Sequence, residues 1–366
     1  MIPVSAYAPG RVELLGNHTD YNQGVVLAAA IDRGLTVTGG SRGDGIVALK
    51  SRTLGREVTV PIGDLQPQKE ERWANYPLGV TRELLRAGYA IGGFDAEVDG
   101  DLAGGGGLSS SAAFEVATAC FLIKLHGLTM EPMELAKLCQ RAENEFVGVR
   151  SGLLDQVTSV FGRADHVVYL DCRSESVRTV PFAAKLALVI AESGSKHSLL
   201  HSRYNTRREE CAAAAAALGL PNLRSIDLRA LEERRAQLSD LLYRRALHIV
   251  GENDRVWRAV AYLESGDAVA LGELMNESHE SSRANFENST AELDLLVRLA
   301  RALPGVHGAR LTGGGFGGAT VTLVDARSAQ TAADQLTTQF ASTTGRSANA
   351  FVCRLADGAA ACNGLA

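Results

Sequence analysis

Over the first hundred residues, apolar positions come in short runs that alternate with polar ones, the period of half-buried strands. Val4-Ser5-Ala6-Tyr7-Ala8-Pro9 leads into a polar loop over residues 10–24, and Val25-Val26-Leu27-Ala28-Ala29-Ala30-Ile31 follows as a continuous apolar run. Leu35-Thr36-Val37-Thr38, Ile46-Val47-Ala48-Leu49 and Val58-Thr59-Val60 repeat the strand pattern. The period then lengthens, predicting helices over residues 76–87, 110–125 and 133–147. In the second of these, Ala113, Val116, Ala117, Cys120 and Ile123 share one face. Thr129-Met130-Glu131-Pro132 reads as a helix start, with a capping hydroxyl, an early acid and an early proline. Turn character near residues 169–181 marks the expected domain boundary. Residues 201–302 are helix-rich, and the alanine run 212–217 expresses helix propensity alone. Strands return on both sides of a glycine cluster at 313–318, followed by a helix at 328–340 and a last strand near Val352. No internal repeat is visible.

Composition narrows the class. Of 366 residues, 46 % are apolar and 22 % charged, enough for a buried core. The net charge of −5 carries no long run of one sign and no basic face, which argues against a nucleic-acid partner. Uncharged stretches are too short to span a bilayer, and the first residues lack a basic and apolar leader pattern. Cys120, Cys139, Cys172, Cys211, Cys353 and Cys362 are scattered without a CxxC pair, so reduced thiols and a cytoplasmic location are expected, and zinc spacing is missing.

The chemistry sits in glycine clusters. Leu102-Ala103-Gly104-Gly105-Gly106-Gly107-Leu108-Ser109-Ser110-Ser111-Ala112-Ala113 runs a glycine loop into a helix start, where free N–H groups and the dipole favour an anion. A phosphate cradle is the reading, against a flexible loop with an ordinary serine cap. No GxxxxGK[ST] exists, so this is not a P-loop NTPase. Gly313-Gly314-Gly315-Phe316-Gly317-Gly318 satisfies GxGxxG as letters, but Ala319-Thr320-Val321-Thr322-Leu323-Val324 after it alternates like a strand. A glycine-rich hairpin fits, and a dinucleotide fingerprint does not. The polar loop at 10–24 holds Arg11, Glu13, Asn17, His18, Asp20 and Asn22, a donor and acceptor set suited to a polyhydroxylated ligand. Beside a phosphate loop, it suggests phosphoryl transfer to a hydroxyl.

These stretches together resemble the galactokinases of the GHMP kinase superfamily along nearly the whole chain. The three family motifs resemble residues 10–24, 105–113 and 312–318. Trp73-Ala74-Asn75-Tyr76, Gly152-Leu153-Leu154-Asp155-Gln156, the residues 204–211 and Asn276-Glu277-Ser278-His279 add to the likeness. The resemblance implies an α+β, two-domain fold, residues 1–180 and 181–366, with the active site in the cleft between them. It implies ATP as co-substrate and Mg²⁺ as cofactor, with the sugar and ATP as the partners and a monomer as the assembly. By the same pattern Asp155 is the catalytic carboxylate and Arg11 its cationic partner. Asn17, His18, Asp20, Gly152 and Tyr204 fall at sugar positions. Trp73 falls near the adenine, and Gly105, Gly106, Gly107, Leu108, Ser109, Ser110, Ser111, Ala112, Gly314 and Gly315 at the ATP. Ser111 and Glu143 fall at the metal.

The chain departs from the family at three places. Asn17 stands where the family usually has Glu, Ala284-Asn285-Phe286 and Ser289-Thr290 replace family blocks, and few residues precede the first motif. The amide at position 17 is compatible with galactose and would also ease the repulsion of a uronic acid. D-Galactose is therefore the expected acceptor, forming α-D-galactose 1-phosphate. Galacturonate or an N-acetylated or 6-deoxy analogue is the alternative, and a silent sugar- and ATP-binding sensor comes third.

Overall fold

The computed structural model describes residues 3–102, 106–194 and 200–360. The chain opens with β1 (Val4–Leu15) and β2 (Val25–Arg42), an antiparallel pair. The polar stretch expected as a loop from residue 10 is strand as far as Leu15, because Arg11, Val12 and Glu13 pair with Ala30, Ala29 and Ala28 and are buried. Only the short segment before β2 turns. β3 (Ile46–Ser51), β4 (Arg56–Pro61), β5 (Gly93–Gly100), β6 (His166–Asp171) and β7 (Ser176–Pro181) complete the sheet, ordered β4-β3-β5-β2-β6-β7 with β1 beside β2. The turn-like residues 169–181 are thus largely a strand hairpin.

Four helices cover this sheet: α1 (Asn75–Arg86), α2 (Ser110–His126), α3 (Pro132–Ala142) and α4 (Leu154–Phe161). Their apolar faces meet the strands in a core that includes Val26, Phe94, Ala117, Leu138 and Val157. Pro132 occupies the first turn of α3 as expected, but no side chain caps that helix. The predicted 133–147 helix is interrupted. After Ala142 the chain widens into one π turn, Glu143–Val147, closed by Gly148 N–H on the Glu143 carbonyl at 2.9 Å. Such turns re-aim side chains at functional positions.

The second half contains β8 (Leu186–Glu192), α5 (Leu200–Ala217), α6 (Leu228–Glu233), α7 (Asp240–Ser265), α8 (Ala268–Ser281) and α9 (Ala291–Arg301). β9 (Val306–Thr312), β10 (Ala319–Asp325), α10 (Ala329–Thr344) and β11 (Asn349–Cys353) follow. Its four strands form an antiparallel sheet ordered β11-β8-β10-β9. A second core joins both halves, with Val12 and Leu27 of the first sheet packed near Leu188, Val256, Leu271 and Val321. This shared core fixes the two walls of a cleft. Among the described residues no helix is long and apolar enough to cross a membrane, and no two cysteines are joined in a disulfide.

Candidate active site

The cleft is formed where β1, the starts of α2 and α4, and the β9–β10 hairpin converge, and it encloses about 320 Å³. Two backbone features bring β1 against the glycine loop. The Arg11 amide donates to the Leu108 carbonyl at 3.1 Å, and a Cβ at Gly10 would lie 2.7 Å from that same oxygen. Glycine at position 10 is what permits this approach.

The Arg11 guanidinium grips Asp155 at two points, Nε to Oδ1 at 2.7 Å and Nη2 to Oδ2 at 3.0 Å, while Nη1 donates to the Gly107 carbonyl at 2.8 Å. Planar fork geometry of this kind fixes a carboxylate's orientation, which a lysine would not do. Asp155 stands in the first turn of α4, where the helix dipole favours its negative charge. Its side chain keeps 24 % exposure against 6 % for Arg11, so the carboxylate faces the cleft and the cation backs it.

Ser109 takes a left-handed backbone at φ 55° and turns its hydroxyl onto Asp155. Its side chain does not cap α2, so the ordinary serine-cap alternative fails, and among the described residues no side chain accepts from the first-turn N–H groups beside Ser110 and Ser111 in the cleft wall. Leu108 and Ala112 are buried and are not among the residues that line the cleft. Gly107 lines the cleft at φ 76°, whereas Gly105 lies outside the described residues and Gly106 is not among the lining residues.

The facing wall is the glycine hairpin, a strand-to-strand turn as its sequence suggested. Gly314 accepts from His18 Nε2 at 3.0 Å, so His18 Nδ1 accepts the Tyr21 hydroxyl at 2.7 Å. Burial pushes the His18 imidazole down to about 4, which keeps it neutral in this arrangement. Its ring packs between Tyr204 and Phe286, with centroids 4.8 and 4.6 Å away. His18 and Tyr204 thus tie the turn, the hairpin and α5 together at the cleft.

Asp20 lines the cleft close to Asp155, and burial, followed by the Asp155 charge, pushes its carboxyl up to about 7. Gly152 explains how it fits: a Cβ there would overlap the Asp20 carboxylate. Gly152 itself does not line the cleft. Trp73 lies apart as well, in a small recess with Phe114, Pro77 and Lys50, its ring parallel to Phe114 within 5°.

Glu143, aimed by the π turn, accepts from the Ser151 hydroxyl, from Gln156 Nε2 at 3.1 Å and from Ser111. Burial pushes its carboxyl up, and Asp155 adds to the push. Gln156 also donates to Glu115 at 3.0 Å, so one amide bridges two buried acids.

Glu13, Asn288, Ser151 and Gln156 had no assigned role in the sequence. Glu13 carried a readable signal, since it stands two places after Arg11 on a strand and residues two apart share a face. Asn288 carried none. Its amide donates to Asn17 Oδ1 at 2.9 Å and Gly314 O at 3.2 Å across a separation of 271 residues in the first case.

Comparison with known proteins adds three family matches: GHMP kinases N terminal domain over residues 75–163, GHMP kinases C terminal over 259–342, and the galactokinase galactose-binding signature over 2–41. The chain is 43 % identical to a galactokinase of Roseiflexus sp. (strain RS-1), covering 96 % of this chain and 91 % of that one. It is 42 % identical to the galactokinase of Homo sapiens, covering 96 % and 90 %. The crystal structure of Lactococcus lactis galactokinase complexed with galactose superposes with a TM-score of 0.93 at 32 % identity, over 98 % of this chain and 94 % of that one. Mevalonate kinase from Methanococcus jannaschii shares the fold, with a TM-score of 0.68 at 16 % identity over 97 % of this chain and 98 % of that one. By its sequence, its α+β fold and these relatives, the chain belongs to the galactokinase family, sugar kinases of the GHMP superfamily.

Proposed function

We propose that the protein transfers the γ-phosphoryl group of ATP to the anomeric hydroxyl of D-galactose, with Asp155 and Arg11 as the catalytic pair. The observation that carries this reading is the two-point Arg11–Asp155 contact at 2.7 and 3.0 Å, set directly beside the start of α2. Phosphoryl transfer asks chiefly for positioning and charge stabilisation. Asp155 takes the hydroxyl proton on its carboxylate, Ser109 and Arg11 hold that carboxylate in place, and Arg11 offsets negative charge on the transferring group. Gly107, Ser109, Ser110 and Ser111 receive the phosphates at the α2 start, with Gly314 and Gly315 closing the opposite side. Asp20 and Tyr204 meet the sugar, His18 and Gly152 hold that wall in place, and Trp73 borders the nucleotide base.

The residues present fit a magnesium ion. Glu143 is a buried carboxylate whose hydrogen-bond partners among the described residues are two hydroxyls and one amide, all neutral, with no cation paired to it among those residues. Ser111 beside it completes a carboxylate–hydroxyl pair of hard oxygens, and no group of three or more ligating side chains exists among the described residues. That suits an ion shared with nucleotide phosphates. Magnesium, when bound there by Glu143 and Ser111, supplies charge neutralisation on the phosphate oxygens.

Residues 1–180 and 181–366 form two domains in this reading, and the protein is a cytoplasmic monomer. The galacturonate alternative loses support, because the Glu13 carboxyl lies 3.2 Å from Asn17 Nδ2, so an acid still stands next to position 17. A coupled ADP-release assay over galactose, galacturonate and N-acetylated and 6-deoxy analogues tests the proposal, with preference for galactose expected.

A further inference from the structure

We infer that Glu13, and not residue 17, provides the carboxylate that accepts a hydroxyl hydrogen from the bound sugar. This rests on the sugar-kinase reading above and names the group that sets acceptor specificity. Glu13 lines the same cleft as Asp155 and Asp20, on the strand face it shares with Arg11.

Asn17 is committed to the protein. Its Nδ2 donates to the Gly313 carbonyl at 2.8 Å and to the two Glu13 oxygens at 3.2 and 3.3 Å, and its Oδ1 accepts from Asn288 at 2.9 Å. Its backbone is held too: Gly16 N and Asn17 N both donate to Glu252 Oε2 at 2.9 Å, and the Asn17 carbonyl accepts from His248. An amide so engaged is a strut between the turn and the hairpin.

Glu13 has spare capacity. Besides Asn17, its side chain receives among the described residues only a long 3.4 Å contact from Arg310 Nη1, while a carboxylate offers about four acceptor sites. Arg310 is fully buried beside it, 4.0 Å from Glu252, and its Nε and Nη2 find no hydrogen-bond partner among the described residues. The Arg310 cation draws the Glu13 carboxyl towards its charged form, while burial pushes it up and prevails. Glu13 also lines the cleft, where its remaining acceptor capacity meets a ligand hydroxyl. It selects a neutral sugar that presents a hydroxyl there, and it rejects an analogue lacking that hydroxyl.

The test compares kcat/KM for D-galactose and its 2-, 3-, 4- and 6-deoxy analogues in the parent and in Glu13→Gln, with melting temperatures measured alongside. In the parent one deoxy position is expected to lose about 10–100-fold, the range of a hydrogen bond to a charged group. In Glu13→Gln galactose falls towards that analogue and the gap closes. A folded Glu13→Gln that keeps every gap at its parental size overturns the inference and leaves Glu13 as a counter-ion of Arg310. Should Glu13→Gln not fold, Glu13→Gln/Asn17→Glu returns a carboxylate to the pocket and is expected to recover folding and discrimination at the same hydroxyl. A parent that turns over galactose and all four analogues equally overturns the inference without any variant. A parent inert to galactose and ATP overturns the kinase reading itself.

Discussion

Arg11 and Asp155, 144 residues apart in sequence, meet through two parallel hydrogen bonds of 2.7 and 3.0 Å at the point where β1 passes the first turn of α4. Because the carboxylate is the more exposed partner, removing it opens no core cavity. Asp155→Ala is expected to lower kcat by about 10²–10⁴-fold, the usual contribution of a positioned base, and also to lower the melting temperature, because it leaves the buried Arg11 guanidinium without its partner. Arg11→Lys is expected to lower kcat as well, since an ammonium cannot reproduce the fork. Steady-state kinetics alongside calorimetry separates this from unfolding.

Glu143 makes opposite predictions for stability and for metal response. Its carboxyl is pushed up by burial, so folding is opposed by its ionisation, and Glu143→Gln is expected to melt higher than the parent at pH 8 without metal. Added magnesium and nucleotide then raise the parent's melting temperature more than the variant's. Equal shifts in the two proteins would remove Glu143 from the metal site.

Asp20 provides a pH signature. Its carboxyl rises from 3.8 to about 7 on folding, so the unfolded chain releases that proton first. The stability linked to this proton is full below about pH 4 and lost as pH rises through about 7. Asp20→Asn removes that loss. The melting temperature of the variant minus that of the parent is expected to grow from pH 4 to pH 7 and then level off. His18, lowered to about 4, and His248, lowered to about 3, act in the other sense, so the difference between the two proteins isolates Asp20.

Gly315 serves the fold as well as the cleft wall. In the structure Gly315 adopts φ 75°, and a Cβ would overlap the Asn288 carbonyl, which itself accepts the Phe316 amide at 2.6 Å. Phe316 is buried. Gly315→Val is therefore expected to lower both kcat and melting temperature, whereas Asn17→Ala, which leaves the Gly313 carbonyl and the Asn288 amide without their partner, costs roughly 1–3 kcal/mol of stability.

Much of this was legible in the chain because its signals are local. A glycine segment ahead of a helix and a GxGxxG followed by strand alternation are readable within a dozen residues, and the α2 start at Ser110 and the β9–β10 hairpin lie where the pattern put them, whereas Asp155 followed only from the family resemblance. What was hidden depends on pairing at long range. The residues 10–15 looked like loop because arginine and glutamate interrupt the apolar run, yet Leu108, Asp155, Thr312 and Arg310 satisfy them from far along the chain. The π turn at Glu143–Val147 was hidden too, since a one-residue widening leaves no periodic mark. The weight placed on Asn17 shifted for a different reason: Glu13, four residues before it, accepts from its amide, a contact that reading residues 10–24 as loop did not suggest.

The most direct measurement is product identification. Incubating the protein with ATP, magnesium and D-galactose and following the reaction by ³¹P NMR should give stoichiometric ADP and a single sugar ester at the anomeric position. Asp155→Ala should give about 10²–10⁴-fold less under the same conditions. A phosphate on another hydroxyl, turnover of galacturonate in preference to galactose, or an Asp155→Ala protein as active as the parent would contradict the account.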